Sequence, residues 1–234
     1  MDSARYLDNT YDRTFETTVT RRLDDRIVLE ETLFYPDGGG QPHDEGTVSF
    51  DGLESRVVHV EKKDEIYHAI EGPVPDEGTV VVGRLDWKRR YAHMQYHTAQ
   101  HLVSAVLLSE FDARTTGNQI YVNRARIDCE YDRFEDDELE WIENRVNDHV
   151  AAARPVVWRS MDRETAEEEL DPDRTRLHLL PDSITTVRVV EIEDVDRTAC
   201  AGTHVRNTEE IGAMSITGRE TKGSGEERIR FVLE

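Results

Sequence analysis

The chain changes its hydrophobic texture once, close to Leu85–Asp86, and that change restricts it to a fold built in two parts. Before the change, apolar residues come in short runs, which predict strands over Thr14–Thr20, Arg26–Phe34, Thr47–Phe50, Arg56–Val60, Glu65–Ile70 and Thr79–Leu85. Turn signals separate them: Pro36-Asp37-Gly38-Gly39-Gly40, Asp51-Gly52 and Gly72-Pro73. Many short strands with regular turns point to a small β-barrel over residues 1–85. After the change the period becomes helical. Trp87 to Phe111 carries Met94, Leu102, Ala105, Val106 and Leu108 at helical spacing, with Asp86 as N-cap. Glu135 to Ala153 is a second amphipathic helix with Leu139, Ile142, Val146 and Val150 on one stripe, ended by Pro155, and Glu164 to Leu170 a short acidic one. Ile120–Tyr131, Thr185–Ile192, Gly212–Gly218 and Glu227–Leu233 read as strands. The expected fold class is α+β: the barrel, then residues 86–234 with helices packed on a mainly antiparallel sheet.

Composition narrows the setting. No stretch of about 18 apolar residues exists, so a membrane span is not expected. The start, Met1 to Leu7, lacks the apolar run of a secretory signal. Two cysteines, Cys129 and Cys200, are too few for a disulfide framework, which favours a reducing cytoplasm. Fifty Asp+Glu against 29 Lys+Arg give a formal net charge of −21, interspersed with periodic apolar residues rather than blocked into a disordered tract. That balance suits a high-salt cytoplasm, where carboxylates keep a surface hydrated. At molar salt the Debye length is about 3 Å, so distant acidic charge does not bar a nucleic acid.

The long helix carries His97-Thr98-Ala99-Gln100-His101. Histidines at i and i+4 share a face one turn apart and can converge on one cation. About a hundred residues later, Cys200-Ala201-Gly202-Thr203-His204 offers a thiolate and an imidazole from one glycine-containing loop. Three imidazoles with one thiolate form a chemically sensible zinc set, and the sulfur argues against magnesium or calcium. His93 lies one turn before His97, so periodicity alone leaves open whether the helix supplies His93/His97 or His97/His101. A zinc-protease helix is excluded, because its water-activating Glu would stand where Thr98 does. Upstream, Gly38-Gly39-Gly40-Gln41 permits positive φ and close backbone approach. No Lys-Ser/Thr follows, so a nucleotide-hydrolysing P-loop is not expected, and a plain β-turn is the simpler alternative.

Taken together, Asp86-Trp87, Arg89-Arg90, Met94, His97-Thr98-Ala99-Gln100-His101-Leu102, Cys200-Ala201-Gly202-Thr203-His204-Val205 and Phe34-Tyr35-Pro36-Asp37-Gly38-Gly39-Gly40-Gln41-Pro42 resemble the alanyl-tRNA editing proteins, AlaX, of medium length. They are similar also to the editing domain of alanyl-tRNA synthetase. Ala201 departs from the glycine commoner in that family. The resemblance implies a β-barrel followed by a zinc-bearing editing domain that deacylates mischarged alanine-specific tRNA in trans. It implies Zn2+ at His97, His101, Cys200 and His204. It further implies that Gly38, Gly39, Gly40 and Gln41 help admit serine while excluding alanine. Thr116 and Gln119 are further polar partners for a serine hydroxyl. Arg84, Lys88, Arg89 and Arg90, with Lys222, Arg228 and Arg230, are the cations expected to meet tRNA. No membrane and no protein partner is expected. Two other functions remain open: a tRNA-binding module whose closed four-ligand zinc is structural, and a metallohydrolase of small esters or amides.

Overall fold

The structure is a computed structural model that describes residues 3–175, 177, 180–181 and 183–234. It groups into two compact units, Met1–His93 and Met94–Glu234. The division falls inside a helix that begins in the first unit and continues into the second.

The first unit contains β1 (Ser3–Ala4), β2 (Thr14–Arg22), β3 (Arg26–Leu29), β4 (Glu31–Thr32), β5 (Gly46–Phe50), β6 (Leu53–Lys62), β7 (Ile66–Glu71) and β8 (Val80–Leu85). Six of them close into an antiparallel barrel in the order β2-β3-β7-β6-β5-β8, β8 pairing back onto β2, which leaves no open sheet edge. The expected strand over Arg26–Phe34 breaks at Glu30 into β3 and β4, and β4 pairs with β1 instead of joining the barrel. Alternation explains the closure. Phe15, Thr17 and Val19 of β2 and Val81 and Leu85 of β8 are buried, while their sequence neighbours reach outward. A Cβ on Gly83 would stand 2.3 Å from the Phe15 ring, so the glycine makes room for that aromatic in the barrel core.

The helix α1 (Trp87–Phe111) starts where sequence periodicity placed it, and Asp86 Oδ1 accepts the Arg89 N–H at 3.2 Å as an N-cap. Its first turns carry Arg90, fully buried in the first unit. The guanidinium donates to Asp44 through Nε at 3.0 Å and through a shorter bond from its terminal nitrogen, to the Leu33 carbonyl at 2.5 Å and to the Thr10 carbonyl at 3.2 Å. Asp44 in turn accepts the Tyr35 N–H at 2.7 Å. The expectation that Arg90 meets tRNA is therefore corrected: its charge is consumed inside the barrel unit, where a phosphate has no access.

In the second unit follow β9 (Thr115–Ile120), β10 (Ala125–Cys129), α2 (Asp136–Ala151), β11 (Val156–Asp162), α3 (Arg163–Glu169), β12 (Thr186–Ile192), β13 (Asp196–Ala199), β14 (Met214–Gly223) and β15 (Glu226–Leu233). They form two antiparallel sheets, β14-β15-β10-β9 and β11-β12-β13. The strand expected over Ile120–Tyr131 is instead the turn and second arm of a β9–β10 hairpin, closed by Tyr121 N–H to the Arg124 carbonyl at 2.9 Å. β11 and β13 went unpredicted because β11 buries only Val156 and β13 is four residues long. The portion of α1 in this unit buries Met94, Tyr96, Ala99, Leu102, Val103, Val106 and Leu107, on every side of the helix. Tyr96 lies tilted against Phe231 of β15, and its hydroxyl accepts the Leu233 N–H at 3.1 Å. α2 opens with a capping box between Glu135 and Glu138, and its Asn147 and Glu143 side chains satisfy the backbone of β14 at Met214 and Ile216. None of the described helices is long and apolar enough to cross a membrane.

The Arg90–Asp44 pair yields a stability prediction. Asp44→Ala leaves a buried guanidinium without its counter-charge and should lower unfolding free energy by about 3–5 kcal/mol, read from the urea midpoint of the full chain. A variant with an unchanged midpoint would contradict that role.

Candidate metal centre

His97 and His101 stand one turn apart on α1, and Cys200 and His204 lie on the loop that leaves β13. The antiparallel β12–β13 pair carries that loop to the helix, and its first residue is pinned by Cys200 N–H to the Arg188 carbonyl at 2.9 Å. One donor atom from each of the four residues lies within 4.8 Å of the others. Cys200 Sγ is 3.5 Å from His97 Nε2 and 3.3 Å from His204 Nε2. His97, His101 and His204 are buried and Cys200 is half-buried. His93, one turn earlier and fully buried, is not one of the four.

Hydrogen bonds fix which ring atoms face the cluster. His101 Nδ1 is 2.7 Å from Asp196 Oδ2; a carboxylate accepts, so Nδ1 carries the hydrogen and Nε2 of the neutral ring is left as a lone pair. Asp196 is held in turn by a bidentate bond from Arg174, Nε at 2.7 Å and Nη2 at 2.8 Å. Thr98 Oγ1 donates to the Met94 carbonyl at 2.8 Å, which spends its one hydrogen. It must therefore accept from the Val205 N–H and from His204 Nδ1, each at 3.2 Å, and His204 too presents Nε2 as a lone pair. Carboxylate and hydroxyl partners behind metal-binding imidazoles do this work elsewhere. Arg188 braces the loop, donating to the Cys200 carbonyl at 2.8 Å and the Gly202 carbonyl at 3.0 Å, while the Gly202 N–H points at Cys200 Sγ at 3.4 Å.

Electrostatics favours a thiolate here. Burial would raise the Cys200 thiol, but His97, His204 and His101 around it bring it well below its ordinary range. Burial and the neighbouring His97 hold His204 well below the ordinary imidazole value, so it stays neutral. Burial opposes charge on His101 as well, yet Cys200 and Asp196 carry it up to about 9, so a metal ion takes the Nε2 lone pair only by displacing a proton from it. A soft thiolate and imidazole nitrogens on converging vectors, with hydrogens directed away, suit a borderline cation such as zinc. By contrast Cys129, buried against Glu227 and Asp128, is pushed up to about 12 and is inert.

None of the remaining expected site residues is among the four clustered donors. Gly38–Gln41 is a tight turn with Gly38 N–H to the Gln41 carbonyl at 3.1 Å and Gln41 N–H to the Gly38 carbonyl at 2.9 Å. Gly39 and Gly40 have φ of +59° and +81°, as a primed two-residue hairpin turn demands. Gln41 itself is buried. Thr116 is exposed on β9 and donates to Glu226 at 2.8 Å; Gln119 donates to the Ile120 carbonyl at 3.2 Å. Arg89 donates to the His43 carbonyl at 3.0 Å and faces Glu45 at 3.4 Å. Arg228 makes a bidentate bond to Asp128 at 2.6 and 2.8 Å, and Arg230 pairs with Glu220. Lys222 is exposed on β14, Arg84 on β8 and Lys88 at the start of α1.

Comparison with known proteins settles the family. A model described as tRNA synthetases class II (A) matches residues 2–89, and one described as the threonyl and alanyl tRNA synthetase second additional domain matches residues 187–230. Two proteins named alanyl-tRNA editing protein AlaX-M, from Methanosarcina barkeri and Methanosarcina acetivorans, are 39% and 37% identical, each over 100% of this chain and 99% of the relative. The chain belongs to the AlaX-M family of alanyl-tRNA editing proteins. The alanine–tRNA ligase of Pyrococcus furiosus is 36% identical over 97% of this chain, which spans 25% of that ligase. The chain thus corresponds to a quarter of a much longer synthetase.

Asp196, Arg174, Arg188 and the supporting role of Thr98 were missed from sequence; the only signal for Asp196 was its position four residues before Cys200. Asp196→Asn keeps the shape but weakens the hold on His101 Nδ1. It should reduce the chain's affinity for a divalent metal about 10–100-fold, measured by chelator competition. An unaltered affinity would remove Asp196 from the site.

Proposed function

We propose that this chain is a zinc-dependent deacylase that hydrolyses, in trans, the ester joining serine, or glycine, to alanine-specific tRNA. The convergence of His97, His101, Cys200 and His204, with Asp196 and Thr98 behind two of the rings, carries the reading. Membership of the AlaX-M family supports the substrate class.

When bound, zinc supplies a Lewis acid that can polarise an ester carbonyl or orient the amino acid. The chain's own residues supply the rest. Asp196 and Arg174 hold His101 in one tautomer and one rotamer, and Thr98 does the same for His204. Arg188 ties the Cys200 loop to β12, and the Gly202 N–H holds the Cys200 sulfur within it. Selectivity follows from chemistry that an alanine pocket lacks. Such a pocket cannot strongly reject glycine or an added hydroxyl, so about 1–3 kcal/mol of binding preference leaves errors for a second site to remove. That second site must offer the serine hydroxyl a hydrogen bond that alanine leaves unmade. Gln41 is our first choice for that partner. For tRNA we retain Arg89 and Lys222 as phosphate contacts, Lys222 being the exposed one, and rank Arg228 behind them because it must first give up Asp128.

The test incubates the full chain at high potassium chloride with Ser-tRNA, Gly-tRNA and Ala-tRNA specific for alanine, and with a free serine ester. Serine should leave the tRNA quickly, alanine slowly, and the free ester should persist. A tRNA-binding module with structural zinc, which the closed four-donor set would also suit, releases nothing; a small-molecule hydrolase prefers the free ester. Cys200→Ala should lower bound zinc and deacylation together, by at least the about 10–100-fold seen for outer partners of metal ligands. Full activity in protein shown to be metal-free would refute the zinc role. Gln41→Ala should erode the serine-to-alanine rate ratio by the equivalent of about 1–3 kcal/mol with folding preserved; equal ratios would discard Gln41 as the discriminator.

A further inference from the structure

A second set of ligand-type side chains meets on the outside of the barrel, unused by the proposed chemistry. Asp37, His43 and His59 each offer a donor atom, and these lie within 4.8 Å of one another. Asp37 and His43 flank the glycine turn, and His59 stands on β6. Their side chains are 49%, 17% and 43% exposed, open enough for exchange with solvent.

Donor and acceptor roles make this more than proximity. His43 Nε2 lies 3.2 Å from the Val58 carbonyl, which only accepts, so that nitrogen carries the hydrogen. Nδ1 of the neutral ring is then a lone pair. It faces Asp37 Oδ1 at 3.1 Å and His59 Nδ1 at 3.2 Å, while Asp37 Oδ2 is 3.8 Å from His59 Nδ1. A proton placed there bridges one pair of these atoms at a time; a divalent cation serves all three. Ligands about 2.0–2.1 Å from one ion at near-tetrahedral angles stand roughly 3.0–3.4 Å apart, the separation seen for two of the three contacts.

The strand is bent to make the meeting. Pairing of β6 with β7 shifts register between Val57 and His59. Uninterrupted alternation would put His59 on the buried face of Val57. With the bulge, Val57 and Val60 both enter the core and His59 turns out against His43, ring centroids 4.4 Å apart. The loop is already tethered by Asp37 N–H to the Val60 carbonyl at 3.1 Å and by His43 N–H to Asp37 Oδ1 at 2.5 Å.

We propose that Asp37, His43 and His59 form a second metal site, taking a borderline divalent first-row cation with solvent completing its shell, and that the ion fastens the segment bearing the glycine turn to β6. Two imidazoles and one carboxylate suit zinc, nickel or copper over magnesium and calcium. The site has no sulfur, which makes it separable from the Cys200 cluster.

The experiment strips the full-length chain of metal, then titrates it with Co2+ and with Zn2+ in potassium chloride, counting bound ions by native mass spectrometry. Wild type should bind one ion more than His59→Ala. The variant should keep the thiolate-to-cobalt charge-transfer band that reports Cys200, and Cys200→Ala should lose that band while keeping the His59-dependent ion. Excess Mg2+ should not displace the ion. His59→Gln, polar at a half-exposed position, repeats the comparison should circular dichroism show His59→Ala to be misfolded. Zn2+ should also slow amide exchange across residues 38–41 in wild type and not in the variant. Equal ion counts in wild type and either His59 variant would overturn the site; exchange that ignores zinc would overturn its role in fastening the turn.

Discussion

Thr98 has one hydroxyl, and three neighbours use it. The Met94 carbonyl takes its hydrogen, and the Val205 N–H and His204 Nδ1 take its lone pairs. Through that atom the loop carrying Cys200 and His204 is seated on the helix carrying His97 and His101. All three groups are buried, so each left unmade bond would cost about 1–3 kcal/mol. The residue that rules out a zinc-protease helix is thus a strut between the two segments of the cluster. The same position cannot serve both purposes, since a Glu there would bring a charge into a wholly buried site.

How much of this was legible depends on the range of the interaction. α1 was readable over its whole length because its apolar spacing is local and its N-cap lies one residue before it. The His97/His101 pair was readable for the same reason. That Cys200 and His204 join it depends on the β12–β13 pairing, which no local pattern in four-residue β13 announces; the chemistry of the donor set and then the resemblance to AlaX, not periodicity, brought the pairs together. Asp196 is one of fifty acidic residues, and beyond its place four residues before Cys200 nothing in the sequence separates it from those that face water. The bulge in β6 was equally hidden: Arg56–Val60 reads as an ordinary strand until β7 pairs with it.

Arginine carries a structural load that its number alone does not reveal. Four of the 29 basic residues are lysine and the other 25 are arginine. Arg90 neutralises Asp44 inside the barrel unit, Arg174 clamps Asp196, Arg188 ties two carbonyls of the Cys200 loop, and Arg228 spans both oxygens of Asp128. Each uses the planar fork, which makes two aimed hydrogen bonds where an ammonium is a point charge. A basic residue near a proposed nucleic-acid surface therefore has to be weighed against the carboxylate it already holds.

That weighing decides among the expected tRNA contacts. The bidentate bond from Arg228 lowers the Asp128 carboxyl below its ordinary range, so the pair is firmly ionised in both partners. Moving Arg228 to a phosphate would leave Asp128, buried between Arg126 and Gly117, with one cation instead of two. A phosphate must repay that loss before it gains anything. Lys222, exposed at the tip of the β14–β15 hairpin, carries no comparable debt to a buried carboxylate, and a lysine needs no fixed geometry to meet a phosphate. The cations that bind tRNA are thus best sought among exposed residues at strand ends and helix starts. The arginines that hold the sheets and loops in place are already spoken for by the fold.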